Sequence, residues 1–156
     1  MEPSNYRKVF EPDNRTLLSI TVFDVGSQQW QELLDYVSRT FVVVYTENGI
    51  PKPLPDVDSI FASQRLRSVM LEVMLQGFTV NCHFSPITEV RMNVLPEDVD
   101  SSQKAESVFQ LMLAIADTLG RTVFLMPELG SATDDQLRAA ALCIAEPNRN
   151  SVQCLM

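Results

Sequence analysis

The sequence predicts one α+β domain built on a mixed sheet, with an antiparallel three-strand meander, one β-α-β unit before it and one after it, and amphipathic helices packed on one face. Three observations predict it. Apolar residues alternate through 69–75 and again through 78–84, the period of two half-buried strands, with Gln76 and Gly77 between them as a turn. Segments 27–39 and 102–119 place their apolar residues at helical spacing instead. Each of those helices is followed by a β-branched or aromatic run, 41–45 and 123–126, too short to be a helix.

Taken in order, residues 1–14 hold Pro3, Pro12 and scattered charges without periodicity, and read as an irregular leader ahead of a single domain at 15–147. Leu18, Ile20 and Val22 alternate with Ser19, Thr21 and Phe23, the period of a strand. Gly26 breaks it, and Ser27 is suited to cap a helix that carries Trp30, Leu33, Leu34 and Val37 on one stripe and Arg39 near its negative end. The run 41–45 then completes a β-α-β unit. Asn48, Gly49, Pro51, Pro53 and Pro55 make 46–58 read as a long loop, because proline removes ladder donors. The pattern at 59–65 leaves a helical turn or two undecided.

The hairpin specifies its own register. A two-residue turn opposes Leu75 with Phe78, Val73 with Val80, Leu71 with Cys82 and Val69 with Phe84, all apolar, whereas a one-residue slip carries Thr79, Asn81 and His83 into the core. Val90, Met92 and Val94 supply the third strand of the meander. After an acidic turn at 96–100, the helix from Ser102 sets Ala105, Val108, Phe109, Met112, Ala116 and Leu119 on one side, and Gly120 suits its C-cap. The run 123–126, halted by Pro127, is expected parallel to the strand before that helix. A last helix is expected from Thr133, with Gln136 in capping-box position, Leu137, Ala140, Ala141 and Ile144 on its stripe and Pro147 at its end; the tail 148–156 is expected to fray.

Composition narrows the function classes. A chain of 156 residues buries roughly 70% of its unfolded surface and needs no staples. Twelve basic against twenty acidic residues give a net charge of −8, a field that repels phosphate backbones and anionic lipid, so neither nucleic acid nor membrane is an expected partner. Cys82, Cys143 and Cys154 are an odd set at wide spacing, which predicts free thiols, and with no secretory pattern at the start it predicts a cytoplasmic location. Cys154 is third from the end rather than fourth, which does not fit prenylation, and Asn14-Arg15-Thr16 matches a glycosylation acceptor only by pattern.

No motif for catalysis, metal or nucleotide binding occurs, so no cofactor and no metal is expected. His83 is the single histidine, no Cys-x-x-Cys is present, and Cys82 and His83, as strand neighbours, point to opposite faces and are no nucleophile and base pair. Glycine is scarce and no phosphate loop or dinucleotide fingerprint is present. Glu128, after Pro127 at a strand end, is the acid placed where ligands gather on parallel sheets, although a solvated loop residue is the plainer reading of it.

The remaining constellation is the outer face of the meander, with Met70, Glu72, Met74, Asn81 and His83 joined by Glu89 and Arg91. Methionine on a polar face fits a protein interface, or a face covered by the leader or the proline-rich loop. The expected function is therefore a non-enzymatic protein-binding domain, such as an acidic immunity-type inhibitor of a basic toxin or a secretion chaperone. Its partner is expected to be a basic protein, with a homodimer as a further form. The alternative is a small-molecule enzyme of unfamiliar type that uses His83 or Glu128.

Overall fold

The structure is a computed structural model that describes residues 6–10, 17–84, 86–128, 135 and 140–155. The elements are α1 (Tyr6–Val9), β1 (Leu18–Val22), α2 (Ser27–Thr40), β2 (Val43–Glu47), β3 (Ile50–Lys52), α3 (Val57–Gln64), β4 (Val69–Met74), β5 (Thr79–His83), β6 (Val90–Val94), α4 (Ser102–Leu119), β7 (Val123–Pro127), β8 (Cys143–Ala145) and β9 (Gln153–Cys154). The strands form one sheet in the order β3-β2-β4-β5-β6-β1-β7-β8-β9. This is the expected α+β fold.

Every ladder among the described residues is antiparallel, so the sheet is not the mixed one expected. Both helical crossovers nevertheless join strands that run the same way. β6 and β7 are each antiparallel to β1, and so are parallel to one another with β1 between them. β1 and β2 likewise run together, separated by β6, β5 and β4. The first strand of the chain is thus the hinge of the topology, inserted between the meander and the last strands, so that long-range pairing must close before the sheet exists.

The hairpin register is as expected: Val73 opposes Val80 and Leu71 opposes Cys82 on the buried face, while Glu72 opposes Asn81 on the other. Leu75 N–H donates to the Phe78 carbonyl at 2.8 Å, and Gly77 at φ 82° takes the left-handed conformation that the turn requires. Ser101 caps α4 by accepting from Lys104 N–H, and Gly120 ends it at φ 63°.

The structure corrects five expectations of local structure and pairing. The cap position of α2 is Gly26 rather than Ser27, with the Gln29 carboxamide accepting from Gly26 N–H at 2.9 Å. The proline-rich stretch is no plain loop, because Asn48 (φ 50°) and Gly49 (φ 78°) close a two-residue hairpin that lays β3 against β2. Pro51 is tolerated there because β3 is an edge strand. Farther along, Ile144 lies in strand β8 rather than on a helix ending at Pro147, and the tail pairs as β9 where fraying is expected. Finally, Cys143 and Cys154 form a disulfide instead of two free thiols, which removes the basis for inferring a reducing compartment. The undecided segment forms α3, capped by Asp56. Of the expected helix from Thr133, residues 133, 134 and 136–139 lie outside the described residues, and Ala140 and Ala141, which do not, are not helical.

The inner face of the sheet and the apolar stripes of α1 to α4 share one core. Trp30 is its centre. The ring is fully buried, stands 5.4 Å from Phe61 and 5.2 Å from Phe84, and donates its indole N–H to the Ile87 carbonyl at 2.8 Å. No helix among the described residues is long and apolar enough to cross a membrane.

Candidate functional site

The outer face of the sheet divides into two. Over β1 and β7 it is buried: Ser19 and Thr21 share a 2.9 Å hydrogen bond, and Phe23 and Met126 pack with Phe124. Over β2, β4, β5 and β6 it is open. Val44, Glu72, Asn81 and Asn93 form one row across it, in which every side chain is partly exposed. Met70 sits beside Thr46, and Met74 beside Thr79, in the flanking rows.

Of the residues singled out from the sequence, Met70, Glu72, Met74, Asn81, His83 and Arg91 do share this face. Glu89 is buried and engaged. Arg91 donates to Glu89 Oε2 through Nε at 2.9 Å and Nη2 at 2.8 Å, an ion pair between the strand and the residue just before it. His83 is exposed opposite Arg91, in the row that continues to Thr21 and Phe124. Glu128 lies elsewhere, beyond the row of Leu18, where its N–H donates to the Leu17 carbonyl and its Oε2 is buried without a hydrogen bond. His83 and Glu128 therefore belong to no common site.

Cys82 points into the core, where burial pushes its thiol up to about 12, so it is an inert thiol and not a nucleophile. Among the described residues, no group of three His, Cys, Asp and Glu side chains is placed to hold a metal ion.

One wide concavity was not legible in the sequence. A groove of about 1000 Å³ runs between the end of α2, the start of β2, the β4–β5 turn and one flank of α4. Tyr6, Tyr36, Phe41, Val42, Met74, Leu75 and Phe109 give it an apolar wall, and Glu106 and Gln110 lie on its polar side, joined by a 2.7 Å hydrogen bond. Its shape follows from local structure. Phe41 N–H closes the last turn of α2 on the Val37 carbonyl, and the chain then turns extended, with Phe41 edge-on to Tyr36 at 6.1 Å. Met74 N–H donates to the Val42 carbonyl at 3.0 Å, which fixes Val42 at the sheet margin with 67% of its surface exposed. Tyr6 reaches the far rim, donating its phenol to the Asp100 carbonyl at 3.2 Å.

Met74 belongs to both surfaces, since it lines the groove and lies on the open face beside Thr79. Sequence reasoning found Met74 but missed Tyr36, Phe41, Val42 and Phe109. The one available signal was the valine triplet 42–44: in a strand with one buried face, consecutive valines cannot all point inward.

One further cluster carries strongly shifted titration. Glu47, 8% exposed, accepts from the Tyr45 phenol at 2.8 Å and pairs with Lys52 at 3.1 Å and Arg67 at 3.3 Å. The Tyr45 hydrogen bond, then Lys52 and Arg67, hold its carboxyl at about 2 against the opposing effect of burial. All its partners come from the hairpin and the α3–β4 connection that it ties together, so its chemistry is that of a structural clasp. Compared with protein-family models, with curated proteins and with solved structures, the chain finds no match in any of the three.

Proposed function

We propose that this chain is a non-enzymatic protein-binding domain whose contact surface is centred on Met74 and takes in the groove beside it. The observation that carries the reading is the groove itself: about 1000 Å³, walled by aromatic and aliphatic side chains and continuous through Met74 with an open strand face. An apolar wall facing a polar side that includes Gln103, Glu106 and Gln110 suits insertion of another protein's side chains, and aromatic residues and methionine are enriched where such contacts form. The net charge of −8 favours a basic partner by long-range steering. An inhibitor of a basic protein, or an escort for a secreted one, is the kind of work that fits this charge and size. The enzyme alternative draws less support, because His83 stands on an open face and Glu128 lies in a different part of the sheet, so neither has the enclosure that catalysis uses.

The test places a photo-crosslinking amino acid at Val42, at Met74 and, as a control, at Arg149. A single protein trapped from the first two positions and not from the third, whose purified form binds at least tenfold more weakly to Val42→Asp, supports the reading. Equal trapping at all three positions, or a bound small metabolite turned over by the protein and lost with His83→Ala, overturns it.

A further inference from the structure

The segment after β8 is held to the sheet in an unusual way. Glu146 accepts from Arg149 N–H at 3.3 Å, and Asn148, at φ 64°, donates its N–H to the Asp117 carboxylate at 2.7 Å; this reversal returns the chain alongside β8. The strand it delivers, β9, has two residues and makes two pairs, Cys143 with Cys154 and Ile144 with Gln153, extended by Leu155 N–H on the Leu142 carbonyl at 2.8 Å. Val152 is buried beside it, but Leu155 is half exposed. So short a ladder at a sheet edge has little independent hold. β8, by contrast, is fixed by three pairs to β7 and by Leu142 N–H on the Leu125 carbonyl.

The strongest tie on β9 is therefore covalent. Cys143 and Cys154 face each other across the ladder, their Cα atoms 4.0 Å apart, on the core side of the sheet. The two partners differ in access: Cys143 is fully buried, whereas Cys154 is only partly so. An incoming thiolate meets Cys154 first.

We propose that Cys143–Cys154 is a dithiol-responsive latch that decides whether β9 covers the edge of β8. A thiolate of a small dithiol attacks Cys154 Sγ, and the S–S bond breaks with its electron pair going to Cys143 Sγ, which takes up a proton. The second thiol of the reductant then displaces Cys154, which also takes up a proton. Two electrons and two protons pass to the protein, and the reductant leaves as its cyclic disulfide. Opening the loop, whose cysteines lie 11 residues apart, restores the freedom that the cross-link removed, which shifts the equilibrium towards detached β9 by on the order of a hundredfold. The body of the sheet stays closed, because β1, β6 and β7 hold one another independently of β9. Detachment leaves the outer backbone edge of β8 unpaired, the kind of edge to which another strand adds.

The test compares the protein oxidised with glutathione disulfide and the same protein treated with dithiothreitol, by alkylation mass spectrometry and hydrogen exchange. Oxidised protein is expected to resist alkylation at all three cysteines. After reduction Cys154 alkylates first, and exchange of a peptide covering 141–155 rises on the order of a hundredfold, while peptides from β1 and β6 stay unchanged. Cys154→Ser is expected to exchange at the reduced rate with or without reductant. Equal exchange of the 141–155 peptide in both forms overturns the latch, as does loss of protection throughout the sheet on reduction, which marks a structural staple. Failure of glutathione disulfide to link the pair overturns it too.

Discussion

The phenol of Tyr45 donates to the carboxylate of Glu47 across 2.8 Å, two residues along the same strand and on the core side of the sheet. The contact makes this clasp sensitive to acid. Glu47 titrates at about 2 in the fold against an ordinary 4.5, so the folded state binds its proton less readily than the unfolded one. Its contribution to stability is complete above about pH 4.5 and is lost as pH falls towards 2. Urea midpoints measured from pH 5 down to pH 2.5 are expected to fall, and to fall less steeply in Glu47→Gln, which is already weaker at pH 7. Parallel slopes would show that the acid response comes from other carboxylates.

The hairpin provides a sharper test of packing. Val80 is fully buried opposite Val73, whereas Thr79 is partly exposed opposite Met74. Val80→Asp buries an unpaired charge and is expected to cost about 3–5 kcal/mol, enough to unfold a domain of ordinary stability. Thr79→Asp is expected to stay within about 1 kcal/mol. Chemical denaturation of the two variants separates them, and a mild Val80→Asp would mean that the register is wrong.

These two sites also mark what was legible in the sequence. The hairpin was, because four opposed apolar pairs make one register far better than its neighbours, and α4 was, because an uninterrupted apolar stripe from Ala105 to Leu119 ends at Gly120. The β2–β3 hairpin was not: Asn48-Gly49 is a strong turn signal, but Pro51 and Pro53 argued against a strand, and only the edge position of β3 removes the conflict. β8 was read as helix because Ala140, Ala141 and Ile144 fit a helical period, a coincidence that its pairing with β7 overrides. The groove escaped notice for a different reason. Tyr6, Phe41, Met74 and Phe109 are brought together by the order of strands and the crossing of two helices, and neither is written in local periodicity.

Trp30 ties α2 to the loop before β6 through the Ile87 carbonyl. Trp30→Phe keeps a ring between Phe61 and Phe84 but removes volume and leaves that carbonyl without its donor. The expected loss is about 2–3 kcal/mol, which thermal unfolding at fixed pH will measure. Trp30→Ala is expected to cost more, about 3–5 kcal/mol, because the cavity cannot close around two fixed rings.

The binding proposal separates into a long-range and a short-range part that respond to different perturbations. If the net charge of −8 steers a basic partner, raising salt from about 0.01 to 0.15 M shortens the screening length from roughly 30 to 8 Å, and the association rate is expected to fall far more than the dissociation rate rises. Val42 and Met74 act at contact only. Both are substantially exposed, at 67% and 45%, so Val42→Ser and Met74→Ser are expected to leave stability within about 0.5 kcal/mol. Each removes apolar area that a bound partner would cover, and the expected result is faster dissociation, by roughly tenfold for the pair, with the association rate and its salt dependence unchanged. Met70→Ser, on a partly buried side chain beside Thr46 and away from the groove, serves as the comparison and is expected to change dissociation less. Stopped-flow or surface-binding kinetics with the crosslinked partner read both rates. An association rate indifferent to salt removes the electrostatic part, and a dissociation rate indifferent to Val42→Ser and Met74→Ser moves the contact away from the groove.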